Sequence, residues 1–251
     1  MKLNYNNIYL KFKENAYMKD FTMRTSLIVG DEGIDKLEKS NVIVFGVGGV
    51  GSFATEALVR AGIGNITIVD FDDVDVTNIN RQLPALHSTV GKLKVDVMKE
   101  RLLDINPDLN IRAVAKKYNK ETTDEILIED YDYVIDAIDM VTSKILLVEE
   151  CNKKGLTLIS SMGMGNKLDP TKIVVTDIHK THTCPLAKVM RKELKDIRIK
   201  KLKVVYSEEQ PQELKKRIMN GRKITPGSTS FVPSVGGLTI ASVVVNDLLN
   251  K

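Results

Sequence analysis

The chain has 251 residues, which suffices for one large α/β domain or a domain with an appendage. Its hydrophobic and charged fractions are those of an ordinary globular protein, and its two cysteines, Cys151 and Cys184, exclude a disulfide framework and any four-cysteine zinc site. A formal net charge of +4 is too mild, as a sum, to argue for a nucleic-acid partner.

Residues 1–17, within an extension expected over 1–20, are rich in Asn and Lys and show no clear periodicity. They read as an extension outside the fold, either disordered or the product of an upstream start, because Met18 opens a more typical pattern. Asn41–Phe45 is a short apolar, β-branched run, hence a buried strand. It leads straight into Gly46-Val-Gly-Gly-Val-Gly51 and then a helical pattern over Ser52–Ala61, closed by Gly62. Ile66–Asp70 is a second strand, so strand, glycine turn, helix and strand succeed one another within about thirty residues, as a right-handed crossover requires.

The alternation continues with a helix over Lys92–Leu103, a strand over Ile111–Ala115 and a short helix over Thr122–Ile128. A strand over Tyr133–Ala137, a helix over Thr142–Lys153 and a strand over Leu156–Ser160 come next. This predicts an α/β, Rossmann-like, mainly parallel sheet with helices on both faces. After Met162-Gly-Met-Gly165 the rhythm changes: strands over Ile173–Ile178 and Lys203–Tyr206 flank a basic helix over Pro185–Lys195. A Gly/Ser/Pro-rich loop, Thr225–Gly237, precedes the last helix. The expected parts are therefore a Rossmann-like domain over 21–165 and a smaller C-terminal α/β extension over 166–251, packed on the same core. The stretch Gly236–Leu249 is the longest apolar run near the end, but it contains Asn246 and Asp247, which suits a packing helix rather than an anchor. With no secretory pattern at the start, the expectation is a cytoplasmic protein with no membrane partner.

Gly46, Gly48 and Gly51 satisfy a dinucleotide-type glycine fingerprint between strand and helix: one glycine for the tight turn, one for close phosphate approach, one for helix packing. The N-terminus of the next helix offers free N–H groups and a positive dipole end to an anion. Asp70, ending the next strand, stands where an acid accepts hydrogen bonds from a ribose. The fingerprint alone does not separate ATP from NAD. The residues downstream favour a triphosphate: Asn78, Arg81 and Gln82, then Lys94 on the next helix, then Asp136 and Asp139 at another strand end. Charge builds on a triphosphate as pyrophosphate leaves, and Arg and Lys stabilise it while a carboxylate holds Mg²⁺. Taken singly, Arg81 and Lys94 also read as surface charges, and Asp136 or Asp139 as helix caps.

These residues resemble the ubiquitin-activating-enzyme-like (ThiF/MoeB-like) superfamily, whose small bacterial members adenylate carboxylates. The resemblance implies that Asp70 holds the ribose and Gly49 touches the nucleotide. Arg81 and Lys94 would hold phosphates, and Asp139 would serve Mg²⁺. It implies a homodimer in which Arg24 is lent to the partner's ATP. Beyond Gly165, the segments Ser161–Thr171, Val175–Thr181, Pro185–Ala187 and Val205–Glu208 look like the tRNA threonylcarbamoyladenosine dehydratase family. That family implies ATP-dependent cyclisation of a threonine carboxylate on a modified adenosine beside the tRNA anticodon. It also leaves room for a cysteine desulfurase or sulfur-acceptor partner. The alternative, an adenylyltransferase for a sulfur-carrier protein, is disfavoured because paired C-x-x-C motifs are absent. An NAD-dependent oxidoreductase leaves Arg81, Lys94 and Asp139 without a purpose.

Two departures from the family stand out. Cys184 precedes Pro185 where an acidic residue is expected, and the loop 227–237 has no cysteine. Cys184 reads either as a small loop residue or as a reactive thiol. His87, His179 and His182 receive no role. The basic residues crowd into Lys188–Lys203 and Lys215–Lys223, either as solvated faces or as a phosphate-backbone patch for tRNA.

Overall fold

The computed structural model describes residues 21–128, 130–221 and 223–250. The expected extension, residues 1–20, lies outside the described residues, as does Arg222.

Seven strands form one sheet: β1 (Asn41–Phe45), β2 (Asn65–Val69), β3 (Asn110–Val114), β4 (Tyr133–Asp136), β5 (Leu158–Ser161), β6 (Ile173–Asp177) and β7 (Lys203–Ser207). Their order is β3-β2-β1-β4-β5-β7-β6, parallel throughout except for the antiparallel edge pair β6·β7. Val42, Ile43, Val44 and Phe45 on β1 are all fully buried, because helices cover both faces of a central parallel strand. The order reverses between β1 and β4, and in such sheets the crevice for ligands opens at the carboxyl ends of those strands.

The helices are α1 (Met23–Lys39), α2 (Gly51–Ala61), α3 (Lys94–Ile105), α4 (Thr123–Ile126), α5 (Val141–Lys154), α6 (Pro185–Asp196) and α7 (Val232–Leu249). One core lies between the sheet and α2, α3 and α7; the other face carries α5 and α6. Residues 166–250 extend the same sheet with β6 and β7 and return α7 onto α2.

Three features differ from the sequence-based expectation. Helix α1 is not among the expected elements, because its apolar stripe is short: Gly33, Ile34 and Leu37 are buried, and Gly30 interrupts it at φ +75°. A two-stranded hairpin, Met219–Asn220 with Lys223–Ile224, is likewise additional. Helix α7 begins at Val232, not after a loop ending at Gly237. Pro233 fits its first turn, where no N–H is needed. Gly236 and Gly237 lie inside α7, which touches its neighbours through them. A Cβ on Gly237 would stand 2.3 Å from the Val50 carbonyl oxygen and 2.9 Å from Ala54 N, at the start of α2. Loop-like composition here marks a close helix crossing. Although α7 is long and apolar enough to cross a membrane, half of it is buried in the fold, and it packs on α1, α2 and the sheet.

Candidate functional site

The glycine turn connects β1 to α2 and meets the loop after β4. Gly46 adopts φ +86°, and a Cβ there would stand 2.7 Å from the Ala137 carbonyl oxygen. A Cβ on Gly51 would overlap the Gly46 carbonyl at 1.7 Å. Both positions therefore exclude a side chain. Gly48 is different: only the Gln82 amide lies near it, at 3.6 Å, so its bare backbone faces open space. Asp70 comes directly after β2 and ties the turn down, its Oδ2 accepting from Val47 N at 2.8 Å and its Oδ1 from Asp72 N at 2.9 Å. Burial pushes its carboxyl above the usual range, and Lys94 and the two N–H donors only partly oppose this.

Gly46, Gly48, Gly49, Asp70, Asn78, Arg81, Gln82, Lys94 and Asp139 all line one cavity of about 630 Å³. Gly51 lies behind it, at the first turn of α2. Arg24 does not line it; it is exposed on α1. Asn78 is held by a reciprocal capping arrangement with Asp75 on a 3₁₀ turn, Val76–Asn78. Arg81 Nη1 donates to the Thr77 carbonyl at 2.8 Å and to Asn80 Oδ1 at 2.9 Å, leaving other guanidinium donors uncommitted. Burial lowers its pKa, but arginine remains cationic. The Gln82 Oε1 is buried and unpartnered among the described residues. Lys94 is only 5% exposed and pairs with Asp72 at 2.8 Å. A phosphate reaching Lys94 therefore competes with a carboxylate that is itself half exposed and easily rehydrated.

Asp136 and Asp139 have separate surroundings. Asp136 is fully buried, 2.9 Å from the equally buried Lys144 Nζ. Its Oδ2 also accepts from Ser160 Oγ at 2.5 Å, and its Oδ1 from Ile138 N at 3.1 Å. Lys144 Nζ in turn donates to the Ile138 carbonyl at 2.9 Å. The ion pair thus grips both ends of Ile138, the residue before Asp139. Asp139 is exposed into the cavity and has no hydrogen-bond or ion-pair partner among the described residues. Of the two acids, only Asp139 has free oxygens, so only it suits a cation brought by a triphosphate.

The far half of the cavity is built by residues 162–167, the start of α6 and the loop 226–228. Asn166, at φ +58°, ties these together: its N donates to the Gly227 carbonyl, its Oδ1 accepts from Gly227 N, and its carbonyl accepts from Gln212 N. Lys167 is buried, with Nζ on the Ser207 and Glu209 carbonyls, and burial lowers its pKa. Cys184 is buried at the N-cap of α6 and lines this half. His182 lies 3.3 Å from Glu208 Oε1, and His87 is exposed away from the cavity. Sequence reasoning did not single out Lys144, Asn166 or Lys167. For Lys144 a signal existed: it shares the helical phase of Leu147, Val148 and Cys151, all buried.

Known proteins match this chain in sequence and in fold. The ThiF family model matches residues 22–249. The tRNA threonylcarbamoyladenosine dehydratase of Bacillus subtilis is 49% identical over 237 residues, covering 90% of this chain and 93% of that protein. The enzyme of the same name from Escherichia coli is 42% identical over 171 residues, 68% of this chain and 64% of its own length. A solved structure of E. coli tRNA N6-threonylcarbamoyladenosine dehydratase in complex with ATP superposes with a TM-score of 0.86 at 34% identity, over 93% of this chain and 97% of the other. Another holds AMP, with the same coverage and identity. On the family model, the relatives and the shared architecture alike, this chain belongs to the ThiF family.

Proposed function

We propose that the chain uses ATP to dehydrate, by cyclisation, N6-threonylcarbamoyladenosine next to the tRNA anticodon. The observation that carries this is a single cavity with two unlike halves: a glycine turn with Arg81, Lys94 and Asp139, and a separate acceptor half facing it. The names of the nearly full-length relative and of the ATP-bound structure support the same reading. A substrate carboxylate oxygen attacks the α-phosphorus, the bond to pyrophosphate breaks, and an acyl-adenylate forms. Arg81 and Lys94 stabilise the charge that gathers on the departing pyrophosphate. Asp139 would hold Mg²⁺, which would neutralise the triphosphate. A nitrogen or oxygen of the substrate itself then attacks the activated carbonyl and AMP leaves, carrying away the carboxylate oxygen. Holding that nucleophile beside the carbonyl supplies most of the help this second step needs. The expected readout is AMP and pyrophosphate formed only when modified tRNA is present, with the nucleoside lighter by one water. AMP formation that needs no tRNA, or an unchanged nucleoside, would overturn the reading.

The acting form is proposed to be a cytoplasmic homodimer with Arg24 reaching the partner's ATP. Leu27 and Ile28, 80% and 86% exposed beside Arg24 on α1, support an apolar interface there. Mixing inactive Arg24→Ala and Asp139→Ala protomers is then expected to restore activity, because one site of each mixed dimer keeps both groups. Failure to complement despite demonstrated subunit exchange would show that Arg24 acts within its own chain or not at all.

A further inference from the structure

A second cleft, of about 690 Å³, lies along the C-terminal half of α6. Its lining is His179, Arg191, Lys192, Lys195, Arg198, Ile199 and Lys200: five permanent cations and no carboxylate. Lys192, Lys195, Arg198 and Lys200 are exposed. Arg191 is not free, because its Nη1 donates to the carbonyl and Oγ1 of Thr181 and so braces the turn that carries His179.

The C-terminal end of α6 is closed in an unusual way. Ile199 N donates to the Leu194 carbonyl at 2.9 Å and Arg198 N to the Lys195 carbonyl at 3.1 Å. This is a Schellman cap, and Arg198, at φ +60°, occupies the left-handed position that glycine usually takes. An L-residue there is strained, and strain of this kind is a pointer to use. Arg198 lines the same cleft as Lys192 and Lys195. The last carbonyls of a helix would repel an anion. Here those of Glu193, Leu194 and Lys195 are occupied by the cap, and five cations outweigh what remains.

One helix connects the two sites. Pro185 and Leu186, at the start of α6, line the catalytic cavity, and Arg191, Lys192 and Lys195 line the cleft. Ten residues of helix span ~15 Å, about four nucleotides of stacked strand at a rise of roughly 3.4 Å each. We propose that this cleft holds the phosphodiester backbone of the RNA substrate a few nucleotides from the base whose side chain enters the cavity. Helix α6 would then set the separation between backbone anchor and reacting carboxylate. The inference rests on the RNA reading of the cavity given above.

Two variants test it, with binding and turnover measured separately. The first is Lys192→Glu/Lys195→Glu/Lys200→Glu. Its affinity for unmodified tRNA, followed by fluorescence anisotropy, is expected to fall at least about tenfold. The slope of log affinity against log salt is expected to flatten by roughly 0.7 for each single-strand phosphate that the variant no longer neutralises. Affinity for ATP is expected to stay as in the wild type, because the glycine turn lies at the other end of α6. The second is Arg198→Gly, which restores the usual cap residue. It is expected to raise the melting temperature while weakening tRNA binding. A purely structural arginine would give the first change without the second. Unchanged tRNA affinity and salt slope in both variants would overturn the proposal, as would an equal loss of ATP affinity in the triple variant. Because tRNA binding is measured without turnover, a wild-type protein that binds tRNA through the cleft but does not dehydrate it would sink the proposed reaction and leave the cleft standing.

Discussion

Lys144→Met is expected to destabilise the fold by about 3–5 kcal/mol, the cost of leaving one member of a buried ion pair without its partner. The stranded group is Asp136, fully buried, with Ser160 and Ile138 N as its remaining partners. The double variant Lys144→Met/Asp136→Asn removes both charges and is expected to recover most of the loss, because a neutral pair carries a far smaller desolvation penalty. Midpoints of urea unfolding, compared at equal slope, measure both. A single variant as stable as the wild type would mean that the pair is not buried as described. Activity in the recovered double variant is expected to remain low. Ile138 would have lost the ammonium that holds its carbonyl, and Asp139 is the next residue.

The second large effect is on chemistry. Arg81→Ala is expected to lower kcat by a hundredfold to a thousandfold, roughly 2.7–4 kcal/mol in the barrier, with much less effect on ATP affinity. The side chain's only described hydrogen bonds are local, to Thr77 and Asn80, so the fold is expected to survive. Arg81→Lys is expected to recover only part of the rate, since an ammonium lacks the planar fork. Steady-state kinetics at saturating ATP settle the matter. A variant with wild-type kcat would remove Arg81 from the triphosphate site.

Much of the architecture is legible in the sequence because its signals are local. The buried β-branched runs and the glycine turn after β1 announce a parallel sheet and its crevice, and most strand ends in the structure lie within a residue or two of the expected ones. The cavity-lining residues expected from the sequence all belong to turns, strand ends and one helix start on the carboxyl edge of that sheet. The hidden features depend on long-range contact. Gly236 and Gly237 look like loop residues until α2 is seen lying against them. Asp136 and Asp139 look equivalent until Lys144, which separates a clamped acid from a free one. Asn166 couples segments 61 residues apart, from 166 to 227, a pairing no local pattern shows. The basic run is compatible with either a solvated face or a phosphate patch, and only the fold brings His179 and Arg198 to the same cleft.

Activation of a carboxylate by adenylation transfers one carboxylate oxygen to AMP. Its most direct test uses modified tRNA whose threonyl carboxylate carries a heavy-oxygen label in both oxygens. One turnover with ATP is monitored by mass spectrometry of the nucleotide products and of the cyclised nucleoside. Adenylation is expected to leave one heavy oxygen in AMP, one in the nucleoside and none in pyrophosphate. Unlabelled AMP, with the heavy oxygen found in inorganic phosphate or in water, would contradict it.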